Sequence, residues 1–242
     1  MRAAGSIALT CDADAGRTRL RAIRCEGLSR SSRAFAAPAG AVRVMLSTLG
    51  PGVLAGDRFS VHGTLVERAS LIACGQMATP VFAGTAPSQT DAGWQVADGA
   101  TLIVAGEPLL LEAGSTHAAG ATFALSGSGC AIVVDTFGLR GPARLSMRTR
   151  AVLDGRLVYR DAYDVTGEPA GAFGTVTLIA ADAQRRAAFA ASAEALGSNT
   201  GQAVRIGVGE TAAAVVVRLH GERVWDVRAV AFSIAGVLAR SA

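Results

Sequence analysis

Acids, imidazoles and thiols are the side chains able to do chemistry here, and their spacing offers little to build on. The three histidines, His62, His117 and His220, lie too far apart for an HxH or HExxH ligand set. Cys11, Cys25, Cys74 and Cys130 have no CxxC spacing, so they form neither a local zinc site nor an obvious disulfide framework, and reduced thiols are expected. Cys74, in Ala-Cys-Gly-Gln, is soft enough to ligate a metal, although a small buried thiol is the commoner role. Glu112 and His117 share a stretch that reads as a solvated loop rather than a ligand pair. The series Gly50-x-Gly52-x-x-x-Gly56 resembles a phosphate loop but runs into a strand, so no helix N-terminus is there to hold an anion. All 23 basic residues are arginine, which excludes a Walker loop, and there is no Gly-x-Ser-x-Gly elbow. Most remaining acids fall in Asp-Gly turns or helix caps, where they have structural work. No catalytic constellation emerges.

The elements that must position these groups are mostly strands. Three glycines and Pro51 between positions 50 and 56 dictate a tight turn, with Asp57 at the mouth of the strand that follows. In that strand Phe59, Val61 and Leu65 alternate with Arg58, Ser60, His62 and Thr64, which places His62 on a polar face. Residues 19–24 and 42–47 also read as strands. Gly84 to Gly93 reads as a surface loop before a strand at residues 94–97. Asp98-Gly99 and Asp154-Gly155 are hairpin signals. Between them, short apolar runs at about 8–12 residue spacing predict an all-β sandwich, roll or barrel. The pattern changes at Asp182, an N-cap before an Ala-rich helix over about 182–197. A second helix, over about 222–239, carries an apolar seam of Val224, Val227, Ala231, Ile234 and Leu238 that packs on the sheet or docks a partner. No internal repeat or interdomain linker is visible, so residues 1–242 are expected to form one domain, β-rich over 1–180.

Composition narrows the function classes. Hydrophobic residues make up 50% of the 242 and charged ones 17%, an apolar balance that suggests surface to be covered by a partner. The net charge of +4 is spread along the chain without an aromatic-interleaved basic patch, so no nucleic-acid partner is expected. No run approaches the ~18 apolar residues of a membrane span, and no signal peptide is apparent.

The segment Gly52-Val53-Leu54-Ala55-Gly56-Asp57-Arg58-Phe59 resembles the Gly-Gly-Leu-Val-Gly-Gly-Asp-x-Leu signature of the urease accessory protein UreD (UreH) family. Ser70 to Phe82, containing Ala78 and Thr79, is similar to the Ala-Thr segment that follows in that family. Further segments keep the family's order: Gly99 to Leu102 with Glu107-Pro108-Leu109, Asp154 to Leu157, and Val215 to Leu219. The family's Gly-Arg followed by Gly-Glu appears only as Phe137-Gly138-Leu139-Arg140-Gly141-Pro142, without the glutamate.

The resemblance implies a mainly β domain, roll- or β-helix-like or a sandwich, with two helices in its C-terminal region. It implies a non-enzymatic cytoplasmic chaperone that binds apo-urease and a UreF/UreG assembly and assists nickel insertion. No cofactor is tightly bound on this reading, and nickel is transient. Gly52, Gly56, Asp57, Ala78 and Thr79 form the family-motif loops, and Asp57 and Glu107 are the acids singled out for a metal path. Asp57 equally fits a role accepting backbone N–H bonds within its turn, and the two roles are compatible. The rival readings are a β-helix or sandwich enzyme acting on carbohydrate, which needs two acids facing one cleft, and a β-rich binding module unrelated to urease.

Overall fold

The computed structural model describes residues 3–167, 171–199 and 203–239. Along the chain, β1 (Ala4–Asp14), β2 (Arg17–Gly27), β3 (Ser29–Ser31), β4 (Phe35–Ala36) and β5 (Val42–Thr48) precede the glycine turn. β6 (Arg58–Leu65), β7 (Ser70–Gly75), β8 (Thr79–Val81), β9 (Ser88–Val96), β10 (Thr101–Ala105), β11 (Leu109–Glu112), β12 (Thr116–Leu125), β13 (Cys130–Arg140) and β14 (Ala143–Leu153) follow. The chain ends in β15 (Arg156–Gly167), β16 (Gly171–Ala180), α1 (Ala183–Asn199), β17 (Val204–Glu210), β18 (Ala214–Gly221) and α2 (Val224–Ala239).

These strands stack as coils of a two-sheet, β-helix-like solenoid. One sheet has the order β15-β14-β12-β9-β6-β1-β2 and the other β17-β18-β16-β13-β10-β7-β5-β3. The chain crosses between sheets at each step, so neighbours within a sheet are parallel and come from successive coils. Ser60 aligns with Asp91, Asp91 with Gly120, and Gly120 with Arg148, offsets of 31, 29 and 28 residues. Antiparallel pairs close the stack: β1 with β2, β14 with β15, and β16 with β13 and β18.

Two expectations change. Asp98-Gly99 makes no hairpin: β9 pairs with β6 and β12, β10 pairs with β7 and β13, and the turn hands the chain from one sheet to the other. The dipeptide supplies the left-handed φ that a corner needs as much as a hairpin does, so it cannot tell the two apart. Arg68, Gly99, Gly127 and Asp154 all take positive φ at successive corners (61°, 67°, 55° and 50°). The corners are laced together, with Asp98 Oδ1 accepting from the Ser128 backbone N–H at 2.7 Å and Asp154 Oδ1 from the Gly127 N–H at 3.0 Å. Asp154-Gly155 is a true hairpin between β14 and β15. Ser88 to Gly93, expected as loop, belongs to β9, because β6 and β12 on either side offer it hydrogen-bonding partners along its length.

The core follows from the period-two patterns. Phe59 and Leu65 of β6 point inward with Ile7, Leu9, Trp94, Phe123 and Leu145, while His62 is exposed. A second apolar layer lies where both helices cover the outer face of β16, β18 and β17. Asp182 caps α1 as expected, its Oδ1 accepting the Gln184 N–H at 2.8 Å. In α2, Val227, Ala231 and Ile234 are fully buried against this sheet, so that part of the seam is consumed by packing; the Leu238 side chain lies outside the described residues.

Candidate functional site

The glycine turn and the 76–82 segment lie side by side. Val53 bridges Val81, with the Val53 N–H donating to Pro80 O at 2.8 Å and the Phe82 N–H to Val53 O at 2.9 Å. Gly52 is required there: its φ is 142°, and a Cβ would stand 2.4 Å from the Pro80 carbonyl oxygen. Gly56, at φ 84°, completes the turn.

Asp57 is the knot of this region and only 2% exposed. One carboxylate oxygen accepts the Ala3 N–H at 2.8 Å, the other the Leu54 N–H at 2.9 Å, and its carbonyl accepts the Gln89 N–H at 2.9 Å. It thereby ties the start of β1, the glycine turn and β9 together. Both oxygens are committed to backbone donors, which is the turn-holding role weighed from the sequence.

Glu107 stands apart, in the connection from β10 to β11. The Thr79 hydroxyl donates to its carboxylate, and its other oxygen accepts the Gln76 N–H at 3.3 Å. The Thr79 N–H donates to Pro108 O at 2.8 Å, so two family-motif segments meet at Thr79 and Glu107; Ala78 is half-buried beside them. Gly75 permits this approach, since a Cβ there would fall 2.2 Å from Glu107 Cγ. Arg228 reaches from α2 to donate to Gly106 O at 2.8 Å, next to Glu107.

A cavity of about 250 Å³ lies between the two sheets, bordered by Cys74, Thr79, Glu107, Asp135, Thr136 and an otherwise mainly apolar wall. Asp135 is the residue that sequence reading missed. Burial lifts its carboxyl to about 6, with Arg218 pulling the other way. The signal was available: an acid interrupting Cys130-Ala-Ile-Val-Val-Asp135, an otherwise unbroken buried strand. Burial likewise pushes the Cys74 thiol up, with Arg43 and Arg228 opposing.

The other candidates are scattered. Asp57 is not among the residues bordering the cavity. Glu112 pairs with Arg140 at 3.0 Å on the far end of β11. The three acids Asp57, Glu107 and Glu112 therefore do not converge on one cleft.

His117 corrects its expectation: it sits in β12, not in a solvated loop, and is 1% exposed. Parallel pairing sets it opposite Ser88, with Nδ1 2.8 Å from Ser88 Oγ and Nε2 2.7 Å from Thr90 Oγ1. Desolvation pushes its pKa down to about 4, so the ring is neutral at physiological pH. Among the described residues no three His, Cys, Asp or Glu side chains cluster closely enough to hold a metal ion, and no helix is long and apolar enough to cross a membrane.

The described residues thus form a two-sheet β-solenoid, with helices over one sheet and an acid-bearing cavity between the two. The chain matches the family model described as UreD urease accessory protein over residues 3–242, and it belongs to that family. The family is an accessory one rather than a catalytic one. No curated protein matches the chain in a direct comparison.

Proposed function

We propose that this urease accessory protein binds apo-urease, joins a UreF- and UreG-like assembly in the cytoplasm, and assists nickel insertion by letting the ion pass through it. The observation that carries the reading is the inter-sheet cavity with Glu107 and Asp135 on its wall. Isolated carboxylates and hydroxyls hold a divalent ion weakly, and passage needs a series of weak sites instead of one closed shell. Asp57 contributes by holding the glycine turn against β8 and β1, which keeps Thr79 and Glu107 in place. Trp225 and Phe232, 55% and 39% exposed on α2, support a protein partner on the helical side. The test is urease activation in a reconstituted assay with purified accessory proteins. Glu107→Gln and Asp135→Asn should each lower activation severalfold while the complex still assembles. Full activation by both variants would overturn the route.

A further inference from the structure

A trough on the outer face of the first sheet backs onto the inter-sheet cavity, with which it shares Asp91, Gly120 and Arg148. Parallel register aligns His62 with Gly93, Gly93 with Thr122 and Thr122 with Arg150, and the next rung aligns Asp91 with Gly120 and Gly120 with Arg148. The His62 and Asp91 side chains lie close over the two glycines, where a Cβ would come within 2.7 Å and 3.0 Å of them. Arg148 and Arg150 form the opposite wall. The resulting depression, of about 550 Å³, also reaches Leu157 and Arg160.

Its charge is unbalanced: of the two acids that border it, Asp161 is paired with Arg218, and Asp91 stands on the wall opposite the arginines, accepting from the Gln89 side-chain amide at 2.7 Å. Arg144, Arg148 and Arg150 point outward from β14, with Ser146 between the first two, and Arg160 stands directly across from Arg150 on β15. Arg148 pairs with Asp164 at 3.1 Å; among the described residues neither Arg150 nor Arg160 forms an ion pair. Like charges directly opposite on an antiparallel pair are destabilising, so the free protein carries an uncompensated positive spot. One step further along, a bulge places Leu157, 54% exposed, opposite Val152.

We propose that this trough docks an extended acidic segment of a partner protein, one with carboxylates at alternate positions followed by an apolar side chain. Residues two apart on a strand are separated by about 6.8 Å, so acids at alternate positions of an extended segment match Arg148 and Arg150, and the next outward residue falls at Val152 and Leu157. Two strand spacings from Asp91 to Arg148 and three from His62 to Arg150, about 10 and 14 Å, separate the walls and admit one extended chain. Carboxylates there supply the counter-charge missing beside Arg150 and Arg160.

The test is fluorescence anisotropy with the full chain and a labelled Glu-Thr-Glu-Thr-Leu peptide, against a Glu-Glu-Thr-Thr-Leu control and an oligothymidine probe. Saturable binding should be at least fivefold tighter for the alternating peptide, weaken with salt, and weaken about tenfold in Arg150→Glu/Arg160→Glu. The paired substitution exchanges one like-charge pair for another and should leave the melting midpoint near the parent's; if it does not fold, Arg150→Gln carries the comparison. Absence of saturable binding, equal affinity for both peptides, tighter binding of oligothymidine, or unchanged binding in the folded variant would each overturn the proposal. Urease activation is not a readout, so failure here leaves the cavity reading standing.

Discussion

Acid should weaken this fold through one imidazole. His117 is buried between β9 and β12, its neutral ring donating to one hydroxyl and accepting from the other, Ser88 and Thr90. Protonation makes both nitrogens donors and puts a charge where no carboxylate answers it. The folded pKa of about 4 lies below the ordinary 6.5. Between those values the unfolded chain binds a proton that the folded chain refuses, so stability falls as pH drops from about 6.5 to about 4 and is unaffected by this group above that window. At 1.36 kcal/mol per unit, the loss amounts to about 3 kcal/mol over the full window, or roughly 6–12 °C of melting midpoint for a chain of this size. Asp135 acts with opposite sign. Its carboxyl rises from 3.8 to about 6, so in that interval the unfolded chain ionises first and stability declines as pH rises. The wild-type profile is thus a difference of two opposed terms, and the comparison must be made between variants. Urea titrations at pH 7 and pH 4.5 on wild type and His117→Asn isolate the histidine: the variant starts less stable at pH 7 but lacks the acid-dependent loss. Parallel pH dependence in the two proteins would refute the assignment.

Asp57→Ala removes the acceptor of two backbone N–H groups, at about 1.5–3 kcal/mol per charge-assisted bond, and calorimetry should show the midpoint falling by several degrees. An unchanged midpoint would instead return Asp57 to a purely functional role. Gly52→Ala, forced into a positive φ and against the Pro80 carbonyl, should destabilise by about 2 kcal/mol or more and raise amide exchange at Val53 and Phe82, whereas a melting curve like the parent's would contradict the close approach. Titration calorimetry of the isolated chain with Ni²⁺ should detect only weak binding; one tight stoichiometric site abolished by replacing Cys74 or His117 would make the protein a carrier instead of a conduit.

Strand character, the two helices and the family were legible in the residues themselves. Alternation of Phe59, Val61 and Leu65 announces a half-buried strand; Asp182 announces a helix start; and the ordered short motifs identify UreD, because each depends on neighbours a few positions away. Alternation says which side chains share a face, but not which strand will lie alongside. Here that neighbour is 28–31 residues distant, and the coils share geometry without sharing sequence, so no repeat was visible. Register alone put His117 between two hydroxyls, separated Asp57 from Glu107, and lined Asp135 against a cavity. The same register gathered arginines that look dispersed along the chain into one basic wall, with Arg150 facing Arg160 across the local hairpin that Asp154-Gly155 announces.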